Sequence, residues 1–255
     1  MRAKDKQTGQ KSSAFTLAEV LITLGIIGIV AALTIPSLMQ KNQDQTTVSK
    51  LKKVYSTLSN AYTMALKDNG PPNTWGFSGT SYNVASSQIM MDRIAPYLNI
   101  QKDCGIAAGC FPNVTYKLLN DTNWANLDAN GRPHVILQDG TLLASIFESG
   151  NCDIVVGSTP ALSTFCGSYD VDINGNAGPN KVGVDLFRFF LTNFGILPKG
   201  VQGQTADQTF EANCRTSGSG VGSGFGCTAW IIYNGNMDYA KCPSSLSWSG
   251  AKTCP

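Results

Sequence analysis

An uncharged apolar run over residues 20–35, VLITLGIIGIVAALTI, constrains this chain more than any other feature. Water does not accept such a segment as free surface. Its length is close to the ~20 residues that cross a bilayer as a helix. One carboxylate stands at its head, and Glu19 is the only charged residue from Phe15 to Gln40. At the edge of the hydrocarbon an unpartnered carboxylate costs roughly 2.5–3.5 kcal/mol, so a plain anchor has no use for it. Residues 1–14, MRAKDKQTGQKSSA, carry Arg2, Lys4, Lys6 and Lys11 against Asp5. An ordinary secretory signal places its apolar core before the cleavage site. Here charge comes first, then small residues, then the apolar segment. A cut after Ala14 therefore leaves that segment on the mature chain. The basic side is expected to stay in the cytoplasm while the rest crosses.

The stretch FTLAEVLITLGIIGIVAALTIPSL, with Ala14 before it, resembles the N-terminal segment of type IV prepilins and type II secretion pseudopilins. The resemblance implies that a prepilin peptidase cuts between Ala14 and Phe15 and methylates the new Phe15 amine. It also implies that Glu19, the fifth residue of the processed chain, is an assembly residue, and that Pro36 sits where the helices of the family kink. The sequence departs from the family at Ala14, where glycine is usual. A helix leaving the membrane must lodge among other helices. There the Glu19 carboxylate needs a cation or a donor, and the Phe15 amine of a neighbouring subunit is a suitable partner. Such a pair would fix axial register, as a buried polar group does in a coiled coil. The alternative is an unpaired Glu19 at the headgroup level.

Beyond the anchor, the chain has room for one sizeable domain within its 255 residues. The net charge of +2 falls close to neutrality once the leader is gone, and nothing in it points to nucleic acid. Charged residues are only 14%, which fits a loop-rich, strand-containing exported domain. The eight cysteines, Cys104, Cys110, Cys152, Cys166, Cys214, Cys227, Cys242 and Cys254, all follow the apolar run and form no CxxC. An even count in an exported domain reads as disulfides. About a hundred connectivities are possible. Local closure has the lowest entropy cost and favours Cys104–Cys110, Cys152–Cys166, Cys214–Cys227 and Cys242–Cys254.

Past Pro36, Val48, Leu51, Tyr55, Leu58, Tyr62 and Ala65 recur at steps of three and four, one face of a helix. Lys50, Lys52, Lys53, Ser56 and Asn60 lie on the other. Gly70-Pro71-Pro72 should end it, giving one helix of roughly 80 Å. A shorter helical pattern covers 87–98. Extended segments are expected at 116–119, 133–138, 141–147, 153–157, 186–192 and 228–233, with Asp139-Gly140 as a hairpin turn. The glycine-rich stretch 217–226 reads as a loop closed by Cys214 and Cys227. The fold class is α+β: a long N-terminal helix packed on an antiparallel sheet, with disulfide-closed loops. That arrangement resembles the pilin head. The expected divisions are a leader over 1–14, a membrane and assembly helix over 15–38, its amphipathic continuation over 39–69, and a head over 70–255.

A second motif is YDVDINGNAGPNKVGVD, residues 169–185. Asp170, Asp172 and Asn174 alternate before Gly175, like the front half of a calcium loop. The back half fails, because loop position twelve is Lys181; Asp185 is the next acid. Two readings stay open. One is a calcium site made by Asp170, Asp172, Asn174 and Asp185, as an acidic loop provides in some pseudopilin-like relatives. The other is an Asx-rich turn whose side chains cap their own backbone. No cofactor other than calcium is implied. His134 is the only histidine and reads as a surface or strand residue rather than a base. Phe187, Phe189, Phe190 and Phe194 read as core.

These features point to a non-enzymatic filament subunit. It would be a type IV pilus (fimbrium) or type II secretion pseudopilus protein, with prepilin peptidase, the inner membrane and other pilin subunits as partners. It would be single-pass in the inner membrane with its head outside the cytoplasm, and then part of the filament. The alternatives are a filament-tip adhesin or minor pilin, and an exported enzyme held by a signal anchor.

Overall fold

A computed structural model describes residues 16–128, 131–217 and 223–255. The described chain divides between residues 43 and 44 into two units, and helix α1 (Leu17–Asn69) begins in the first and continues into the second. In the second unit, Leu51, Val54, Leu58, Ala61, Tyr62 and Ala65 are buried, with Val48 and Tyr55 packed beside them. Lys50, Lys52, Lys53, Ser56 and Asn60 are exposed. The expected face is the observed one, widened by Val54 and Ala61. The helix stops where Gly70 takes φ 74° and its N–H reaches the carbonyl of Leu66. Pro71 and Pro72 lack the N–H needed to go on.

Helix α2 spans Val84–Ile94. It starts earlier than periodicity indicated, because the Asn83 side chain accepts the N–H of Ser86 and caps it. Pro96 then tightens the last turn into a 3-10 turn at Ala95–Tyr97. The strands follow as β1 (Ile100–Gly105), β2 (Thr115–Lys117), β3 (Asn123–Asn126), β4 (His134–Leu137), β5 (Leu142–Phe147), β6 (Phe165–Asp172), β7 (Leu186–Thr192) and β8 (Gly195–Pro198). Six make one sheet in the order β1-β4-β5-β6-β7-β8, while β2 and β3 pair separately. Every named strand pairing is antiparallel. The class is α+β, as expected. Two short helices follow, α3 (Phe210–Asn213) and α4 (Cys227–Asn234).

The sheet is covered on both faces, and strand alternation sorts the residues. Leu143, Phe147, Tyr169, Val171, Phe187, Phe189 and Leu191 join α1, α2 and α4 in the main core. Leu142, Ala144 and Leu186 face the other way and pack with Tyr116, Val182 and Phe225. The four disulfides are Cys104–Cys110, Cys152–Cys166, Cys214–Cys227 and Cys242–Cys254, the pairing that local closure favours. Residues 218–222 of the glycine-rich stretch lie outside the described residues.

Four expectations are corrected. Residues 228–233 are not a strand but most of α4. Thr228, Ala229, Trp230, Ile231 and Ile232 are all buried, and a helix buried all round shows no polar face to betray its period. Residues 153–157 contribute only isolated bridges, Ile154 to Phe165 and Gly157 to Gln204. Phe194 is 65% exposed, because it sits in the two-residue turn between β7 and β8. His134 lies in a strand, β4, one of its two expected places, but the surface alternative fails, because the residue is fully buried there, its ring 5.2 Å from that of Phe111. Burial pushes its pKa down, so it is held neutral.

Candidate functional site

Two sites follow from the sequence, and each is built from local rules. The first is the start of α1. Thr16 precedes the helix, and its N–H and hydroxyl both donate to Glu19 Oε2 at 2.8 Å. The Glu19 N–H in turn donates to Thr16 Oγ1 at 3.3 Å. This is a capping box, in which two otherwise unsatisfied N–H groups are met reciprocally. The Thr-x-x-Glu spacing announces it, yet attention to Glu19 alone overlooks Thr16. The carboxylate thus has donors within its own chain, unlike the unpaired Glu19 considered above. Ala14 and Phe15 lie outside the described residues.

Along the apolar segment, Leu21, Ile22, Leu24, Ile26, Ile27, Ile29, Val30 and Leu33 are exposed. The hydroxyls among them turn inward on the backbone: Thr23 donates to the Val20 carbonyl, Thr34 to that of Val30 and Ser37 to that of Thr34. That is what a hydroxyl must do where no water is available. The helix continues through Pro36, although proline cannot donate to the carbonyl one turn back. By length and composition, α1 is long and apolar enough to cross a membrane, a candidate membrane anchor.

The second site is the acidic motif. Asp170 and Asp172 belong to β6 rather than to a loop, and their spacing of two places both on the sheet face away from α1. Asp170 lies directly across from Arg188 of β7. Arg188 Nε donates to its Oδ1 at 2.6 Å and Nη2 to its Oδ2 at 2.8 Å. The Arg188 guanidinium also stands 4.0 Å over the Phe225 ring. Beside it, burial pushes the Lys199 amine down to about 7, with that amine 5.5 Å from the Phe225 ring centre.

Asp172 does something different. Its Oδ1 accepts the N–H groups of Asn174 and Gly175 at 3.0 and 2.9 Å, an Asx turn. Its Oδ2 accepts the Tyr116 hydroxyl at 2.5 Å. Asp185 accepts the N–H groups of Asn180 and Lys181 at 2.7 and 2.6 Å, and the Asn174 amide at 3.4 Å. Asp172, Asn174 and Asp185 thus meet in one turn, while Asp170 is held by Arg188. The four do not form one calcium ligand set. Among the described residues no group of three or more His, Cys, Asp or Glu is placed to hold a metal. The donor pattern fits the Asx-rich turn. Thermal melts in calcium and in chelator are expected to coincide; a rise in calcium that Asp172→Ala abolishes would restore the metal reading.

Burial pushes the Asp172 carboxyl up to about 7, against the pull of the Tyr116 hydroxyl and the two amides. The folded chain therefore holds that proton more tightly than the unfolded chain. The resulting stability is present below the ordinary carboxylate range and is lost as pH rises through about 7. Relative to Asp172→Asn, which cannot ionise, the wild type should lose up to about 1.4 kcal/mol per pH unit across that window. Denaturant titrations of both chains from acid to neutral pH measure it, and parallel curves would contradict it.

Against this geometry the comparisons are clear. Residues 9–35 match the prokaryotic N-terminal methylation motif, which supports a type IV prepilin-like N-terminal segment. Residues 37–193 match the family described as Family of unknown function (DUF6613), and the chain belongs to that family. No curated protein and no solved structure matches it. The methylation motif is a structural, pilin-type one rather than an enzymatic one, and it implies processing by prepilin peptidase.

Proposed function

We propose that this chain is a structural subunit of a type IV pilus or of a type II secretion pseudopilus. It is cut between Ala14 and Phe15, methylated on the new amine, and held in the inner membrane by residues 15–38 with its head outside the cytoplasm. It then joins a filament through that helix, while 39–69 and 70–255 form the exported unit. The observation that carries this reading is the pairing of a methylation motif at 9–35 with a helix whose apolar side chains are exposed from Leu17 to Met39. Such a surface calls for lipid or other helices around it. Calcium is not part of the proposal. Mass spectrometry of the envelope protein should give an N-methyl-Phe15 terminus. An intact Met1, or a cut beyond Ile35, would refute it.

Glu19 has two successive tasks in this reading. In the membrane it closes the box with Thr16; in the filament it meets the amine of a neighbour. Glu19→Val should still insert, since removing a charge eases insertion, but it should assemble poorly. Thr16→Val keeps the carboxylate and loses the cap, worth about 0.5–2 kcal/mol of helix stability. It should be cleaved and yield fewer filaments than wild type, yet more than Glu19→Val. Sheared-filament yields rank the three chains. Equal yields from Glu19→Val and wild type would remove Glu19 from assembly.

A further inference from the structure

A polar cleft of about 510 Å³ opens in the second unit between residues 77–81 and 148–151. Its lining joins one aromatic ring, Phe77, to the hydroxyls of Ser78, Thr80 and Ser149, the amide of Asn151 and the half-buried carboxylate of Glu148. The two walls are fastened to each other. Tyr82 N–H donates to the Phe147 carbonyl at 2.8 Å, and Ser81 Oγ donates to the Glu148 carbonyl at 3.0 Å. From behind, Ser86 Oγ accepts the Ser78 N–H and donates to the Ser78 carbonyl. Phe77 is fixed in turn by Phe147, with ring centres 5.2 Å apart. The cleft is therefore largely formed before anything enters it.

Tyr82 stands at its edge. It holds φ 67°, a left-handed conformation that a bulky residue adopts only under strain. Its side chain is nevertheless 64% exposed, so the strain is not offset by burying the ring. What the conformation achieves is placement: the Tyr82 N–H is tied to the Phe147 carbonyl, and the side chain, one residue beyond Ser81 of the lining, is left in solvent.

We propose that this cleft binds a neutral glycan, with Tyr82 stacking on a sugar face and Glu148, Asn151 and the serine and threonine hydroxyls meeting its hydroxyl groups. The chemistry selects that class. The lining includes no lysine, arginine or histidine, so a sialylated, sulfated or phosphorylated ligand finds no partner there. The carboxylate does not call for a cation either, because burial raises the Glu148 carboxyl above its ordinary range and so disfavours its charged form. What remains is a neutral ligand rich in hydroxyls, matched by groups that both donate and accept and by an exposed amphipathic ring. The proposal stands on the cleft alone and does not depend on filament assembly.

The test uses the full chain in a zwitterionic detergent that carries no sugar, applied to an array of neutral, sialylated and sulfated glycans. Neutral glycans should retain the protein and acidic ones should not. Tyr82→Gly should weaken that binding about tenfold or more, the loss of one stacking and hydrogen-bonding partner. Its melting temperature should hold or rise, because glycine takes φ 67° without strain. Glu148→Gln should weaken the same glycans. No retention by any neutral glycan, a preference for acidic ones, or undiminished binding by both variants would overturn the proposal. The Phe15 terminus, read separately by mass spectrometry, keeps this outcome distinct from that of the filament reading.

Discussion

Asp170→Ala is expected to destabilise the exported unit by about 3–5 kcal/mol, because it leaves a charged guanidinium inside the protein without its partner. The Asp170 side chain is wholly inaccessible and that of Arg188 only 18% exposed. Both nitrogens that reach Asp170 do so with good geometry. The pair sits at a directly opposed position of β6 and β7 in the middle of the sheet, so the strands cannot part to admit water without giving up their ladder. The double variant Asp170→Leu, Arg188→Met should recover part of the loss, since a buried pair is often replaceable by apolar residues of similar size; recovery is incomplete because Arg132 Nη1, 3.5 Å from Asp170 Oδ2, loses that carboxylate too. Urea titrations of the wild type, both single variants and the double variant close the cycle. A single-variant loss below about 1 kcal/mol would mean that solvent reaches the guanidinium.

Gly200→Ala should cost about 2–6 kcal/mol, from backbone strain and overpacking together. Gly200 holds φ 97°, and a Cβ there would meet the carbonyl oxygen of Gly226, with the carbonyl carbon at 2.6 Å. Neither side can yield easily. Gly200 N–H donates to Gln204 Oε1 at 2.7 Å, and its carbonyl accepts the Trp248 indole at 2.8 Å. Gly226 immediately precedes α4, whose first residue Cys227 is tied to Cys214. Gly105 is the control. It too has positive φ, but a Cβ there meets nothing within 4 Å, so Gly105→Ala should cost only the conformational term, about 1–2 kcal/mol. Thermal and urea unfolding of the two variants measure the difference. Equal losses would show that crowding at Gly226 contributes nothing.

The lesson of the acidic motif is one of period. Asp170 and Asp172 alternate with Val171 because they are strand residues on a sheet covered on both faces. A calcium loop has the same spacing, since its ligands also recur at every second position. The sequence therefore carries the alternation and leaves its meaning open. Arg188, the partner that decides Asp170's role, is far away in sequence and is brought opposite only by the register of β6 on β7. Helix α4 taught the converse, for there burial on every side erased the periodicity that would have distinguished a helix from a strand.

What the sequence determined by itself is whatever rests on neighbours along the chain. The apolar run, the face of α1 from Val48 to Ala65, the stop at Gly70-Pro71-Pro72, the Asp139-Gly140 hairpin and the four short-range disulfides are all local, set by periodicity, capping and loop closure. The Thr16–Glu19 box belongs with them, being written in a spacing of three. Tertiary structure alone decided the rest: the burial of His134 and Lys199, the pairing of Asp170 with Arg188, the placing of Phe194 in solvent, and the cleft between residues 77–81 and 148–151. Each of these depends on which segments lie across from one another. That is fixed by packing two faces of one sheet at once, a condition that no window of sequence contains.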